Sequence, residues 1–146
     1  MQSAKIPASM EYLHKIMSLT ENLLKESGCG EDERRLIEIS VEEIFTNIAS
    51  YAYKEGEGMV WLEWDVRDMD KGQKEVEIRF QDEGVPYDPF ARRDPDLTLP
   101  IEERPVGGLG VYMVKQFMDD ASHCYEEGRN ITVIRKKFPV TERYGL

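Results

Sequence analysis

A chain of 146 residues, 40% hydrophobic and 33% charged, is long enough to bury most of its apolar surface as a single domain, 1–146. Its net charge of −10, with no basic stretch, argues against a nucleic-acid partner, because phosphate-backbone binding rests on clustered Lys and Arg. No run approaches about 18 apolar residues and MQSAKIPASM lacks the apolar segment of a signal peptide, so no membrane span or secretion is expected.

Ala4–Pro7 reads as a short first strand or an arm. Ser9 is a suitable N-cap, and Leu13, Ile16, Met17, Leu23 and Leu24 recur at helical spacing up to Gly28. His14 on this helix reads as a surface histidine. A second helix opens on Glu31, Asp32 and Glu33, acids where the helix dipole favours them, and runs to about Lys54 with Gly56 past its end. Ile37, Val41, Ile44, Ile48 and Ala52 make its buried stripe, and Leu36, Ser40, Glu43, Asn47 and Tyr51 lie on the stripe beside it.

Two strands follow. Val60, Leu62, Trp64 and Val66 alternate with polar or outward positions, as do Val76, Ile78 and Phe80, and DMDKG between them reads as a hairpin loop. Such alternation describes a sheet with one face on helices and the other in water. Residues 82–106 are irregular and proline-rich, and a loop of that length in a compact domain is usually functional or mobile. GGLGVYMVKQFMDD restarts a helix, and a hairpin around EEGRN leads into a last strand, Ile131–Phe138. The expected fold is an α+β two-layer sandwich with three main helices on one face of a mixed, mostly antiparallel sheet.

Three local features carry chemistry. Glu43 and Asn47, four residues apart on a helix, point the same way. The carboxylate is a proton acceptor and the carboxamide oxygen a hard ligand suited to Mg2+, although such a pair also occurs as plain surface polarity. Asp82 ends a strand with Gly84 two residues on, in DEGVPYDP. A carboxylate there can accept from an exocyclic amine, and a glycine lets a flat ring approach the backbone; an ordinary turn would use the same residues. Gly107, Gly108 and Gly110 open a helix whose first N–H groups lack partners and suit phosphate. The glycines form neither a Walker loop nor a complete dinucleotide fingerprint. Cys29 and Cys124 form no metal-ligand or disulfide pattern, which points to a reducing cytoplasm.

In this order the three features resemble the N, G1 and G2 boxes of the GHKL nucleotide-binding superfamily, the histidine-kinase-like ATPases. VEEIFTNIASYAY, DEGVPYDP and GGLGVYMVKQFMDD look most like the anti-sigma-factor serine/threonine kinases of bacterial partner-switching systems, from about Ile6 to Phe138. The resemblance implies a Bergerat-type ATP fold, with ATP and Mg2+ as ligands and a lid over about 90–106. Glu43 would be the catalytic carboxylate and Asn47 the magnesium-binding amide. Asp82 would take the adenine amine with Gly84 beneath the ring, Gly107, Gly108 and Gly110 would approach the phosphates, and Thr132 would meet the adenine edge. Arg104 in the lid is offered as a phosphate contact. The implied partners are an anti-sigma-factor antagonist and a sigma factor, with the chain itself a homodimer.

Two departures stand out. YAY places Tyr51 where many relatives carry a histidine, and the lid sequence ARRDPDLTLPIEERP carries no assignable catalytic motif. The competing readings are a non-catalytic ATP-binding module that sequesters a partner, and the ATP-binding half of a histidine kinase. The second lacks an upstream coiled-coil phosphoacceptor region. A purely structural acidic domain would require all three motifs to be coincidence.

Overall fold

The computed structural model describes residues 1–53, 57–91, 98–100 and 109–141. Strand β1 spans Gln2–Pro7, so the first segment is a strand rather than an arm. Ser9 does cap, with its Oγ accepting from Glu11 N–H at 3.3 Å, but it caps a single 3-10 turn, Met10–Tyr12. Helix α1 then runs Leu13–Glu26 and turns off at Gly28, whose φ of 81° is left-handed. Ile16 and Leu24 are fully buried, Leu13, Met17 and Leu23 partly so, and His14 is exposed.

Helix α2 spans Glu31–Tyr51. All five residues of its expected stripe are buried, and so is Phe45, which lies on the side of that stripe away from the polar one. The expected end near Lys54, with its stop at Gly56, lies outside the described residues. At the described end Ala52 N–H closes on the Ile48 carbonyl at 3.0 Å, and the Ala52 carbonyl accepts from Val85 N–H at 2.9 Å, which ties the end of the helix to the loop after β3.

Strands β2 (Met59–Asp68) and β3 (Gln73–Asp82) pair antiparallel, with Val60 opposite Asp82 and Trp64 opposite Ile78. Their hairpin turns through Lys71 and Gly72, both at positive φ. Helix α3 covers Leu109–Phe117 and stops before the two aspartates. Asp119 N–H bonds the Arg135 carbonyl at 2.9 Å and Asp120 begins β4 (Asp120–Glu126), so the sheet claims residues that a helix had been expected to hold. β5 (Arg129–Pro139) returns through Glu127 and Gly128, two successive positive-φ residues that match the twist of a two-residue hairpin.

The sheet order is β1-β2-β3-β5-β4, and all four ladders are antiparallel, the limit of the mostly antiparallel sheet expected. The core lies between the helices and one sheet face: Val60, Leu62, Trp64, Val76, Ile78, Phe80, Ile134 and Phe138 are closed to solvent. Trp64 crosses the layers, its indole N–H donating to Thr20 Oγ1 at 3.0 Å while Thr20 donates to the Ile16 carbonyl at 2.8 Å. The polar tip of the largest core side chain is thereby satisfied. The outcome for function is that α2 lies across the end of β3, with α3 beside it.

Candidate active site

Where α2, the end of β3, β5 and the start of α3 converge, they enclose a cavity of about 610 Å³. That volume lies in the range of small-molecule sites. Helix α2 contributes Glu43, Ile44, Asn47, Ile48, Tyr51 and Ala52, with Glu43, Asn47 and Tyr51 coming from the polar stripe at four-residue intervals. Asp82 enters from β3, Asn130 and Thr132 from β5, Leu109, Gly110 and Val111 from α3, and Val85, Pro86, Tyr87, Pro89 and Phe90 from the loop after β3.

Two ends can be distinguished. At one, Asp82 is 3% exposed and Thr132 4%. Oδ1 of Asp82 accepts from Gly84 N–H at 2.9 Å and from Asn130 Nδ2 at 3.0 Å. A buried carboxylate bordered by Ile44, Ile48 and Phe90 offers a hydrogen-bond acceptor in apolar walls, as a flat base with an exocyclic amine requires. At the other end, Glu43 faces the first turn of α3, and a Cβ built on Gly110 would fall on its carboxylate. Burial, with the charge of Glu42 adding to it, holds the Glu43 carboxyl above the usual range. A carboxylate made more basic in this way is suited to taking a proton. Asn47, one turn on, adds a carboxamide to the same wall.

Of the expected site residues, Glu43, Asn47, Asp82, Gly110 and Thr132 line one cavity. Gly84 does not line it. The space its Cβ would take is filled by the carbonyl and Cβ of Ala52, so the glycine is needed to seat the loop on α2, a demand not included in the expectation of a ring lying over it. Gly107, Gly108, Arg104 and most of the 90–106 lid lie outside the described residues. Among the described residues no cluster of His, Cys, Asp or Glu would hold a metal by itself. The donor set therefore suits a hard cation that brings its own oxygens, with Asn47 supplying one more.

The sequence reading missed two residues. Asn130 faces Asp82 directly in the β3–β5 ladder and is 4% exposed. Its signal was its place two residues before Thr132, which puts both side chains on one face of the strand. Tyr53 donates its hydroxyl proton to the Met59 carbonyl at 2.6 Å and accepts from Glu83 N–H at 2.8 Å, tying the loop to the end of α2.

Against this geometry, comparison with known proteins is informative. The histidine kinase-like ATPase domain family matches residues 6–136. The serine-protein kinase RsbW of Bacillus cereus (strain AH187) is 30% identical over 138 residues, 92% of this chain and 82% of that protein. The protein of the same name from Bacillus anthracis gives the same 30% identity and coverage. Among solved structures, the RsbU and RsbW domains of Rv1364c from Mycobacterium tuberculosis share the fold at a TM-score of 0.60 and 13% identity. That match covers 97% of this chain and 34% of the larger one. The chain belongs to the histidine kinase-like ATPase family and, within it, to the RsbW serine-protein kinases.

Proposed function

We propose that this protein is an ATP-dependent serine/threonine kinase that acts as an anti-sigma factor and phosphorylates an antagonist of that factor. The observation that carries the reading is one cavity with a buried carboxylate, Asp82, at one end and a half-buried carboxylate of raised basicity, Glu43, at the other. The kinase name of the relatives that match 92% of the chain supports the same reading.

ATP enters with adenine against Asp82 and Thr132 and its phosphates toward the start of α3. Gly107, Gly108 and Gly110 would approach the phosphates, and the helix N-terminus would supply N–H groups. Asn47 would hold Mg2+ through its carboxamide oxygen, and the ion would supply positive charge against the phosphates in an acidic protein. Glu43 orients the incoming serine hydroxyl and takes its proton. The new bond joins the serine oxygen to the γ-phosphorus, the bond from that phosphorus to the β–γ bridging oxygen breaks, and ADP leaves. Phosphoryl transfer depends on positioning and electrostatics, so few protein groups are required. Gly84 acts by seating the adenine-side loop on α2.

The partners are an antagonist protein bearing the serine and a sigma factor as second client. The chain works as a cytoplasmic homodimer of single-domain subunits. No helix among the described residues is long and apolar enough to cross a membrane.

The test is label transfer from γ-labelled ATP with Mg2+ in a lysate of the organism that encodes the protein, followed by phosphoamino-acid analysis. A labelled phosphoserine or phosphothreonine protein that needs the added chain supports the kinase. Bound ATP without any labelled protein would replace it with a nucleotide-sensing module that sequesters its partner, and phosphohistidine on His14 would point to a histidine kinase.

A further inference from the structure

We infer that Asn130 is a positioning residue for nucleotide selection: it holds the Asp82 carboxylate turned so that only its second oxygen meets the exocyclic amine of a 6-aminopurine. The inference rests on the cavity being the ATP site and names what makes that site choose its base.

The side-chain amide of Asn130 is fully engaged. Nδ2 donates to Asp82 Oδ1 at 3.0 Å and to the Val85 carbonyl at 2.9 Å. Oδ1 accepts from Tyr87 N–H at 3.1 Å and lies 2.8 Å from His123 Nε2. The orientation of the amide is over-determined. A backbone N–H can only donate and a backbone carbonyl can only accept, so Tyr87 fixes the oxygen end and Val85 the nitrogen end. His123 must then donate through Nε2, and β4 becomes a third support behind the amide.

This geometry has two effects on Asp82. Oδ1 receives two donors, Gly84 N–H and the Asn130 amide, which fixes the orientation of the carboxylate inside a buried site. Among the described residues nothing donates to Oδ2, so the remaining acceptor capacity belongs to a ligand in the cavity. An amine at purine position 6 satisfies it, while a 6-oxo group would set one acceptor against another. Asn130 also ties the 85–87 segment, one wall of the cavity, to the strand that carries Thr132. Pairing Asp82 with Asn130 in the ladder is what permits both effects at once.

The experiment measures binding of ATP and of purine riboside triphosphate, which lacks only the amine, to the wild-type chain, Asn130→Asp and Asn130→Ala. Asn130→Asp keeps an acceptor facing Tyr87 and His123 but removes the N–H donors to Asp82 Oδ1 and the Val85 carbonyl, so that acceptor faces acceptor beside Asp82. The wild type is expected to prefer ATP by about 10- to 100-fold, the worth of one charge-assisted hydrogen bond. In both variants ATP should weaken to the level of the analogue, while affinity for the analogue changes little. A preference for ATP that survives both substitutions would overturn the inference. So would an equal loss of both nucleotides in both folded variants, which would leave Asn130 as a loop anchor alone. Failure of the wild type to bind ATP at all would instead remove the reading of the cavity itself, and this inference with it.

Discussion

Gly110 packs its Cα against the carboxylate of Glu43, with no room for a Cβ between them. The contact sets the separation of α2 and α3 at the point where the proposed phosphates enter. Alanine would normally favour a helix over glycine by about 1 kcal/mol. Here Gly110→Ala must displace either Glu43 or the first turn of α3. The expected result is a folded protein whose phosphotransfer falls by about 100-fold, the cost of moving a catalytic group by roughly 1 Å. Parallel thermal melts and turnover assays check it.

Glu43 is expected to trade stability for function. Its carboxyl is raised by burial, with Glu42 adding to the effect, so charging it costs more in the folded state than in the unfolded one. Below the ordinary value of 4.5 both states are protonated and the group contributes nothing. Above that value the folded state loses stability as the pH rises toward and through the raised folded value. Glu43→Gln should therefore melt higher than the wild type at pH 7, and the difference should vanish near pH 4. Calorimetry at the two pH values decides it.

Glu77 carries the opposite sign. Burial by itself would raise its carboxyl, but the hydrogen bond from Arg135 Nε at 2.8 Å and the charges of Arg135, Arg67 and Arg79 outweigh burial and hold it below 4.5. Its stabilisation is full above pH 4.5 and is lost as the pH falls through the lowered folded value. Glu77→Gln should melt lower than the wild type at pH 7 and converge with it in acid. Titrating Tm between pH 7 and pH 2 separates the two carboxylates by the direction of their curves.

Gly84→Ala should destabilise the protein by about 1–3 kcal/mol, the usual cost of forcing a methyl into a filled site. The new Cβ would overlap the Ala52 carbonyl, which already accepts from Val85 N–H at 2.9 Å. Urea unfolding gives the stability change. Weaker ATP binding should accompany it, because the wall formed by Val85, Pro86 and Tyr87 moves with the loop.

The strands were legible because apolar and polar residues alternate without interruption from Val60 to Val66 and from Val76 to Phe80, and every residue of the inward set but Val66 is fully buried. The polar stripe of α2 was legible by the same periodicity, and it delivered Glu43, Asn47 and Tyr51 to the cavity. What periodicity does not encode is long-range pairing. The tie between the end of α2 and the loop depends on Val85, the purpose of Gly84 on Ala52, and the orientation of Asp82 on Asn130, 48 residues away. Phe45 escaped notice because α2 buries a face wider than one stripe, with α1 and α3 both packed against it.

The measurement closest to the central claim is a single-turnover transfer of γ-labelled phosphate to the partner protein, run on wild type and Glu43→Gln with ATP affinity measured for both. A fall of about 10²- to 10⁴-fold in transfer rate with ATP affinity unchanged is the expected result for loss of a general base. Transfer at the wild-type rate by the glutamine variant would contradict the role of Glu43 and with it the mechanism built on this cavity.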